Sequence, residues 1–329
     1  MRITGVLAAA AVALTSASPL AAHGNDDALA AFAALFEESA IVSGPELVDC
    51  RLSGGAVTVC YKITVVPGET VKAGPWCPRT ITDGPEVSGI WFDDGKVYNA
   101  DGAFVANLPE FYGDPTWQLH DPATGHVFVT DNQIACEAAA RPDVDPAYRN
   151  HCVECLTSYI DPGLTRTYIV PIAPVEAGEP QRLGEAGGAG LAFDGIMLGP
   201  PAPVEAILGS HTLAPFDDCG GHVNPHVGYH YHAVTDCQIQ IAAPNAHAPL
   251  IGIALDGVSI YGQLNADGST PERLDVCRGH TSEALGYHYH VSGPGDNQII
   301  GCHSHQIGCV SDDPDRPCDA TQRRPPPPR

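Results

Sequence analysis

The sequence predicts a mainly β fold. The expected architecture is a β-sandwich or barrel-like C-terminal domain built from a duplicated unit, a smaller β-rich N-terminal region and one N-terminal helix. Three observations carry this. Gly 35 and Pro 30 supply about a fifth of the 329 residues, a density of turn formers that suits short strands better than a helical bundle. Hydrophobic residues make up 44% and charged residues 17%, which allows a packed core. The second half of the chain repeats itself at a fixed spacing.

Residues 1–22 open with Arg2, run apolar from Ile3 to Leu14 and end in small residues at Ala21 and Ala22. That is the pattern of a secretory signal peptide, too short for a membrane span, so a soluble secreted or periplasmic protein is expected. Cleavage after Ala22 makes His23 the first residue. An amine beside an imidazole can chelate copper, but a coincidental His next to the cut is the reading expected for His23. The twelve cysteines are an even count in an exported chain, which favours disulfides. Cys152 and Cys155 have redox spacing, but no strand–CxxC–helix pattern surrounds them, so structural bridges are expected there.

Along the mature chain, Asp26 to Ala40 has helical spacing, with Leu29, Phe32, Ala33 and Phe36 on one face. Strand signals follow at Ala56–Val66, Ile90–Phe92, His126–Thr130 and Thr167–Ile172. Asn99–Gly102 and Asn265–Gly268 read as turns. Val175 to Gly190 reads as a loop or linker, and the tail from Ser311, which ends in a proline run, as extended and partly disordered. The organisation is a leader at 1–22, a Cys- and aromatic-rich region at 23–158, a duplicated domain at 159–310 (units at about 191–237 and 253–302) and a Pro-rich tail at 311–329. Trp76, Trp91, Phe92, Tyr98, Phe111, Tyr112 and Trp117 in the N-terminal region form either a core or an exposed platform for a glycan. A formal charge of -23 repels nucleic acid and anionic membranes, and both are set aside as partners.

Asp217–His232 and Asp275–His290 are two copies of one unit. Cys219 aligns with Cys277, His222 with His280 and His232 with His290, each 58 residues apart (277−219, 280−222, 290−232). A looser match precedes them, Phe193-Asp194-Gly195-Ile196 with Leu255-Asp256-Gly257-Val258. Duplicated units tend to pack about a pseudo-twofold axis, which predicts neighbouring copies and permits a shared histidine cluster. Tyr-His-Tyr-His alternates with the period of a strand, so His230 and His232 face one way and Tyr229 and Tyr231 the other. Gly228 permits a turn that returns His222 to the pair. His222, His230 and His232, and equally His280, His288 and His290, form candidate ligand sets for copper or zinc. Asp194 and Asp256 are expected as carboxylates that hold the remaining ring N–H groups. His247 and the His303–His305 pair are possible additions, and His226 reads as a turn residue.

The chain resembles the YHYH family, secreted proteins named for that motif. The resemblance runs from about Tyr159 to Cys309. It rests on the two Tyr-His-Tyr-His runs and on Cys219–Pro225, Ala248–Gly262, Leu274–His280 and Ile299–Cys302. It implies an exported, β-rich domain and names no reaction. The second copy keeps a full Tyr-His-Tyr-His where a looser sequence is expected of the family.

Other readings stand beside the metal one. Neutral histidines hydrogen-bonded to carbonyls and Asp, with tyrosines packed behind, would make a structural ladder in a non-catalytic extracellular interaction module. A metal-dependent enzyme and a periplasmic metal-sequestration protein are the two metal-bound alternatives. No nucleophile elbow, zinc-protease helix or phosphate loop occurs, and Glu283 and Asp256 are only general-base candidates. The cysteines beside the motif are assigned to disulfides, Cys219 with Cys237 and Cys277 with Cys302. Thiol titration of the denatured, unreduced protein is expected to find no free cysteine; several free thiols would overturn the disulfide assignment.

Overall fold

The computed structural model describes residues 20–68, 73–141 and 143–322. The expected leader lies outside the described residues except for its last three. Helix α1 spans Leu20–Ala33, earlier than the expected Asp26–Ala40. The helix stops because the Glu37 N–H donates to the Phe193 carbonyl (2.9 Å), which draws the chain towards the sheet. The expected apolar face is used: Phe32 and Phe36 are buried, Phe32 stacks on Tyr61 (4.1 Å) and Phe36 meets Phe193 edge-on (5.1 Å).

Along the chain follow β1 (Ile41–Arg51), β2 (Val57–Val65), β3 (Ile90–Asp93), β4 (Lys96–Asn99), α2 (Gly102–Phe111) and α3 (Gln133–Ala139). Next come β5 (Arg166–Pro171), β6 (Glu176–Gln181), α4 (Leu183–Ala186), β7 (Gly190–Ala192), β8 (Met197–Leu198) and α5 (Val204–Gly209). The repeat supplies β9 (Gly221–Asn224), β10 (Gly228–Tyr231), β11 (Leu250–Ala254), β12 (Ser259–Tyr261), β13 (Gly279–Ser282) and β14 (Gly286–His290). The chain closes with β15 (His303–His305) and β16 (Cys309–Ser311).

Four local expectations are corrected. The segment 175–190 is not a plain loop, since it carries β6, paired with β15, and α4. His126–Thr130 makes only isolated bridges instead of a strand. Asn99–Gly102 leads into a helix: the Asp101 carboxylate accepts from the Phe104 N–H (2.8 Å) and caps α2. The tail is tied down as far as Gln322, because Cys309 bonds Cys318 and Asp319 bridges to Arg51. The terminal proline run lies outside the described residues.

Most of the repeat forms one eight-stranded sheet in the order β13-β14-β12-β11-β7-β8-β10-β9. It is open, with β13 and β9 as its edges, so the barrel-like alternative is excluded and the mainly β expectation holds. The order is a palindrome of the two copies, centred on the antiparallel pair β7–β11. Gly252 pairs with Ala192, Ile253 with Leu191 and Ala254 with Gly190. With the 62-residue offset of this part of the repeat (256−194), each of these pairs maps onto itself or another. A local dyad therefore passes between Leu191 and Ile253, normal to the sheet.

Cross-strand partners share a face. Met197 pairs with both His230 and Leu191, Leu191 pairs with Ile253, and on the far side Tyr261 pairs with His290. Both histidine sets thus lie on one face. The centre of that face is covered by α1 and a four-stranded sheet, β1-β2-β5-β16, which draws strands from both sides of residue 158. Ile63, Val65, Tyr168 and Val170 of that sheet share a core with Leu191, Phe193, Met197 and Leu255. On the opposite face Tyr229, Tyr231 and Tyr289 join Leu198, Ile260 and Trp76. The N-terminal aromatics are mostly core: Trp76, Trp91, Phe92 and Trp117 are buried, which leaves no platform built on them.

All twelve cysteines are bonded, as Cys50–Cys60, Cys77–Cys152, Cys136–Cys155, Cys219–Cys237, Cys277–Cys302 and Cys309–Cys318. Cys152 and Cys155 belong to different bridges, which removes the redox reading. No described helix is long and apolar enough to cross a membrane. Replacing Cys277 and Cys302 together with Ser should cost about 3.5 kcal/mol, the chain-entropy value for a sequence separation of 25. Equilibrium denaturation measures it, and an unchanged midpoint would contradict a structural role for the bridge.

Candidate metal centres

The first centre is built on the β9–β10 hairpin. The Asn224 side chain accepts the His226 N–H (2.9 Å) and its carbonyl accepts the Val227 N–H (3.0 Å), so the chain reverses there. Gly228 follows with φ +88, and a Cβ there would lie 2.5 Å from Pro67. Antiparallel pairing then sets His222 opposite His230, and His232 follows two residues on. The three imidazoles form a triangle with every ring-centroid separation 4.8 Å. The His222 and His232 Nε2 atoms are 3.1 Å apart.

The second hairpin, β13–β14, repeats this, with His280 opposite His288 and His290 two residues on. A fourth imidazole, His247, arrives from the segment before β11. Nε2–Nε2 separations are 2.9 Å for His280–His288, 3.0 Å for His247–His288 and 3.3 Å for His280–His290. A tetrahedral ion with bonds of about 2.0–2.1 Å sets its donors roughly 3.3–3.4 Å apart, within a few tenths of an ångström of these three separations. In each set the candidate donor atoms lie within 4.8 Å of one another.

The other ring nitrogens decide what these clusters present. In the second centre, Nδ1 of His247 meets the Ala248 carbonyl (3.1 Å) and Nδ1 of His280 the Glu272 carbonyl (2.9 Å). Nδ1 of His288 meets the Gly286 carbonyl (2.9 Å) and Nδ1 of His290 the Gly262 carbonyl (2.8 Å). A carbonyl can only accept, and a neutral imidazole has one N–H, so each Nδ1 carries the hydrogen. Four Nε2 lone pairs then point at one another with no proton to share, and a positive charge placed between them satisfies all four. In the first centre, carbonyls of Gly228 and Pro200 fix His230 (3.1 Å) and His232 (2.7 Å) in the same way.

A proton is a poor candidate for that charge. Burial holds His288 and His290 down to about 4, against the neighbouring carbonyls' opposite pull. Burial likewise holds His230 to about 4. Burial and then the adjoining His230 hold His232 to about 3, and burial, His232 and His230 hold His222 well below the ordinary value.

The expected role of Asp194 and Asp256 is corrected: neither receives an N–H from these rings. They lie on the tyrosine face. The Tyr231 hydroxyl donates to Asp194 (2.8 Å) and the Tyr289 hydroxyl to Asp256 (2.6 Å). Asp217 and Asp275, 58 residues apart, take the other tyrosines, Tyr229 (2.8 Å) and Tyr287 (2.7 Å). Each aspartate also accepts backbone N–H groups of its own turn, such as Gly221 for Asp217 and Gly279 for Asp275. Burial raises the pKa of Asp194 and Asp217. The tyrosine half of the motif is the structural ladder, and the histidine half is the converging cluster.

The two centres do not merge. His230 and His288 sit on strands five positions apart, about 24 Å at ordinary strand spacing. The dyad places equivalent histidines on opposite flanks, so the idea of a single shared cluster fails. The His303 Nε2–H donates to the Ala189 carbonyl (2.8 Å), outside both clusters, and His305 faces Glu176 and Asp256. His226 is a turn residue. His247 was the least legible member, since it stands outside the duplicated stretch.

Comparison with known proteins agrees with the motif. Residues 167–273 match the family model described as YHYH protein. The match holds the first Tyr-His-Tyr-His and ends before the second. No curated protein matches the chain, and no solved structure does.

The depressed histidines set a pH dependence for the metal-free protein. Their folded values near 4 lie below the unfolded 6.5, so between these pH values the unfolded chain binds more protons. Stability is intact above about pH 6.5 and drains as pH falls towards 4. The raised Asp194 and Asp217 act in the opposite sense and are common to both proteins compared. The loss of melting temperature from pH 7.5 to 5 should be smaller in His230→Asn/His232→Asn than in the wild type; equal losses would contradict the burial argument.

Proposed function

We propose, with residues 167–273 assigned to the YHYH family, that this protein is exported and binds two transition-metal ions, copper or zinc, one in each repeat. Its function on this reading is to hold and sequester metal in a periplasmic or extracellular setting. The observation that carries the reading is the second centre, where backbone carbonyls fix all four Nδ1 atoms and leave four Nε2 lone pairs directed inward. Imidazole suits copper and zinc, whereas calcium and magnesium need oxygen donors, and neither cluster contains a carboxylate. Six disulfides support export into an oxidising compartment.

Holding is favoured over catalysis because four imidazoles complete a tetrahedral shell at the second centre. A metal-dependent enzyme is the second reading, favoured by the three-histidine set of the first centre, which leaves one coordination position for water or substrate. Substrate and reaction carry no assignment.

Elemental analysis of untagged protein should find two ions per chain. His230→Ala/His232→Ala and His288→Ala/His290→Ala should each leave one ion, while Tyr229→Phe/Tyr231→Phe should keep both. Absence of metal from the wild type, or full metal in both histidine variants, would overturn the ligand assignment and leave a structural ladder.

A further inference from the structure

We propose that His247 is the exchangeable ligand of the second centre. Its Nε2 leaves the ion, and a small nitrogen or oxygen donor entering from the adjoining cavity takes the vacated position. The proposal rests on the metal reading above and adds to it the route by which that ion is reached. The step is a ligand exchange. One metal–nitrogen bond breaks and one metal–donor bond forms, with no proton or electron transferred.

Four observations single out His247. First, it has no partner in the other centre: the first cluster contains three histidines and the second four. The three hairpin histidines follow the 58-residue repeat, and His247 does not. Second, it is carried differently. His288 and His290 are fully buried on β14, and His280 lies opposite them on β13. His247 instead ends an exposed loop, and its Nδ1 is bonded only to the carbonyl of the next residue, Ala248.

Third, that loop is strained. Asn245 and Ala246 are consecutive residues with φ +57 and +54, a left-handed conformation that asparagine tolerates and alanine disfavours. A firm hinge follows the loop, because Ala248 is buried and its N–H donates to the Asn265 side chain (3.3 Å). Fourth, His247 lines a cavity of about 420 Å³. Pro244, Asn245 and the β13–β14 hairpin tip, Ser282 to Leu285, form the rest of its wall. Glu283 and Ala284 on that wall are exposed, so the cavity opens to solvent. A donor in the cavity therefore reaches the ion from the side His247 occupies, while the other three ligands stay on the hairpin.

The test uses copper(II) as the ion and azide as the entering donor, in the full chain carrying His230→Ala/His232→Ala so that only the second centre loads. Copper content is measured first; protein without copper would overturn the metal reading itself. With one copper bound, azide should produce a saturable azide-to-copper charge-transfer band. Removing the competing ligand with His247→Ala should lower the azide needed by the inverse of the detached fraction, on the order of tenfold if His247 is off the ion a tenth of the time. Ala284→Trp, at the exposed hairpin tip, fills the cavity and should suppress the band while copper stays bound. Bound copper with no azide band, an equal azide requirement with and without His247, or a band indifferent to Ala284→Trp would each overturn the exchange.

Discussion

The hydrogen bonds from Tyr229 and Tyr231 to the buried Asp217 and Asp194 fix the rotation of strand β10 about its own axis. With both tyrosines held to one face, the alternation of the strand commits His230 and His232 to the other. Antiparallel pairing then brings His222 opposite His230, and carbonyls of Gly228 and Pro200 turn the ring Nε2 atoms inward. Each aspartate also closes its own turn with backbone N–H groups, so the scaffold and the cluster depend on the same four-residue motif. The repetition of Asp217–Tyr229 as Asp275–Tyr287, and of Asp194–Tyr231 as Asp256–Tyr289, makes the second hairpin by the same means.

Duplication explains the placement of the two centres. A dyad between Leu191 and Ile253 makes an open sheet whose flanks are equivalent, and the histidine hairpins are its two outermost pairs of strands. The hydrophobic middle of the same face is covered by α1 and the sheet containing β2 and β5, which leaves the flanks for chemistry. Symmetry stops at the fourth ligand. His247 comes from the connection leading into the second copy, so one centre has three imidazoles and the other four. The same symmetric scaffold thus carries two imidazole clusters of different size.

Much of this was legible in the residues. The alternation of Tyr229 to His232, the 58-residue offset and the cysteines flanking each motif identified the hairpins, the face the histidines share and two disulfides. Tertiary packing decided what local signals left open. The dyad lies in a pairing of β7 with β11 that no short-range pattern encodes, so adjacency of the copies did not imply adjacency of the histidines. Asp194 and Asp256 were assigned to histidine because carboxylates often orient metal ligands; the face they occupy depends on the register of β8 and β12 with the motif strands. Strand β1 and the early end of α1 escaped notice because the capture of the Glu37 N–H by Phe193 is a contact across more than 150 residues.

The central claim is that positive charge belongs inside each ring of imidazoles, and that a metal ion supplies it. Anomalous diffraction from crystals of the metal-loaded protein, recorded at the absorption edge of the bound metal, locates that charge without reference to activity. The account predicts two peaks per chain. One lies among His222, His230 and His232, the other among His247, His280, His288 and His290, and each is about 2.0–2.1 Å from the Nε2 atoms. Peaks confined to the acidic surface, or imidazole clusters with no peak between them, would contradict it.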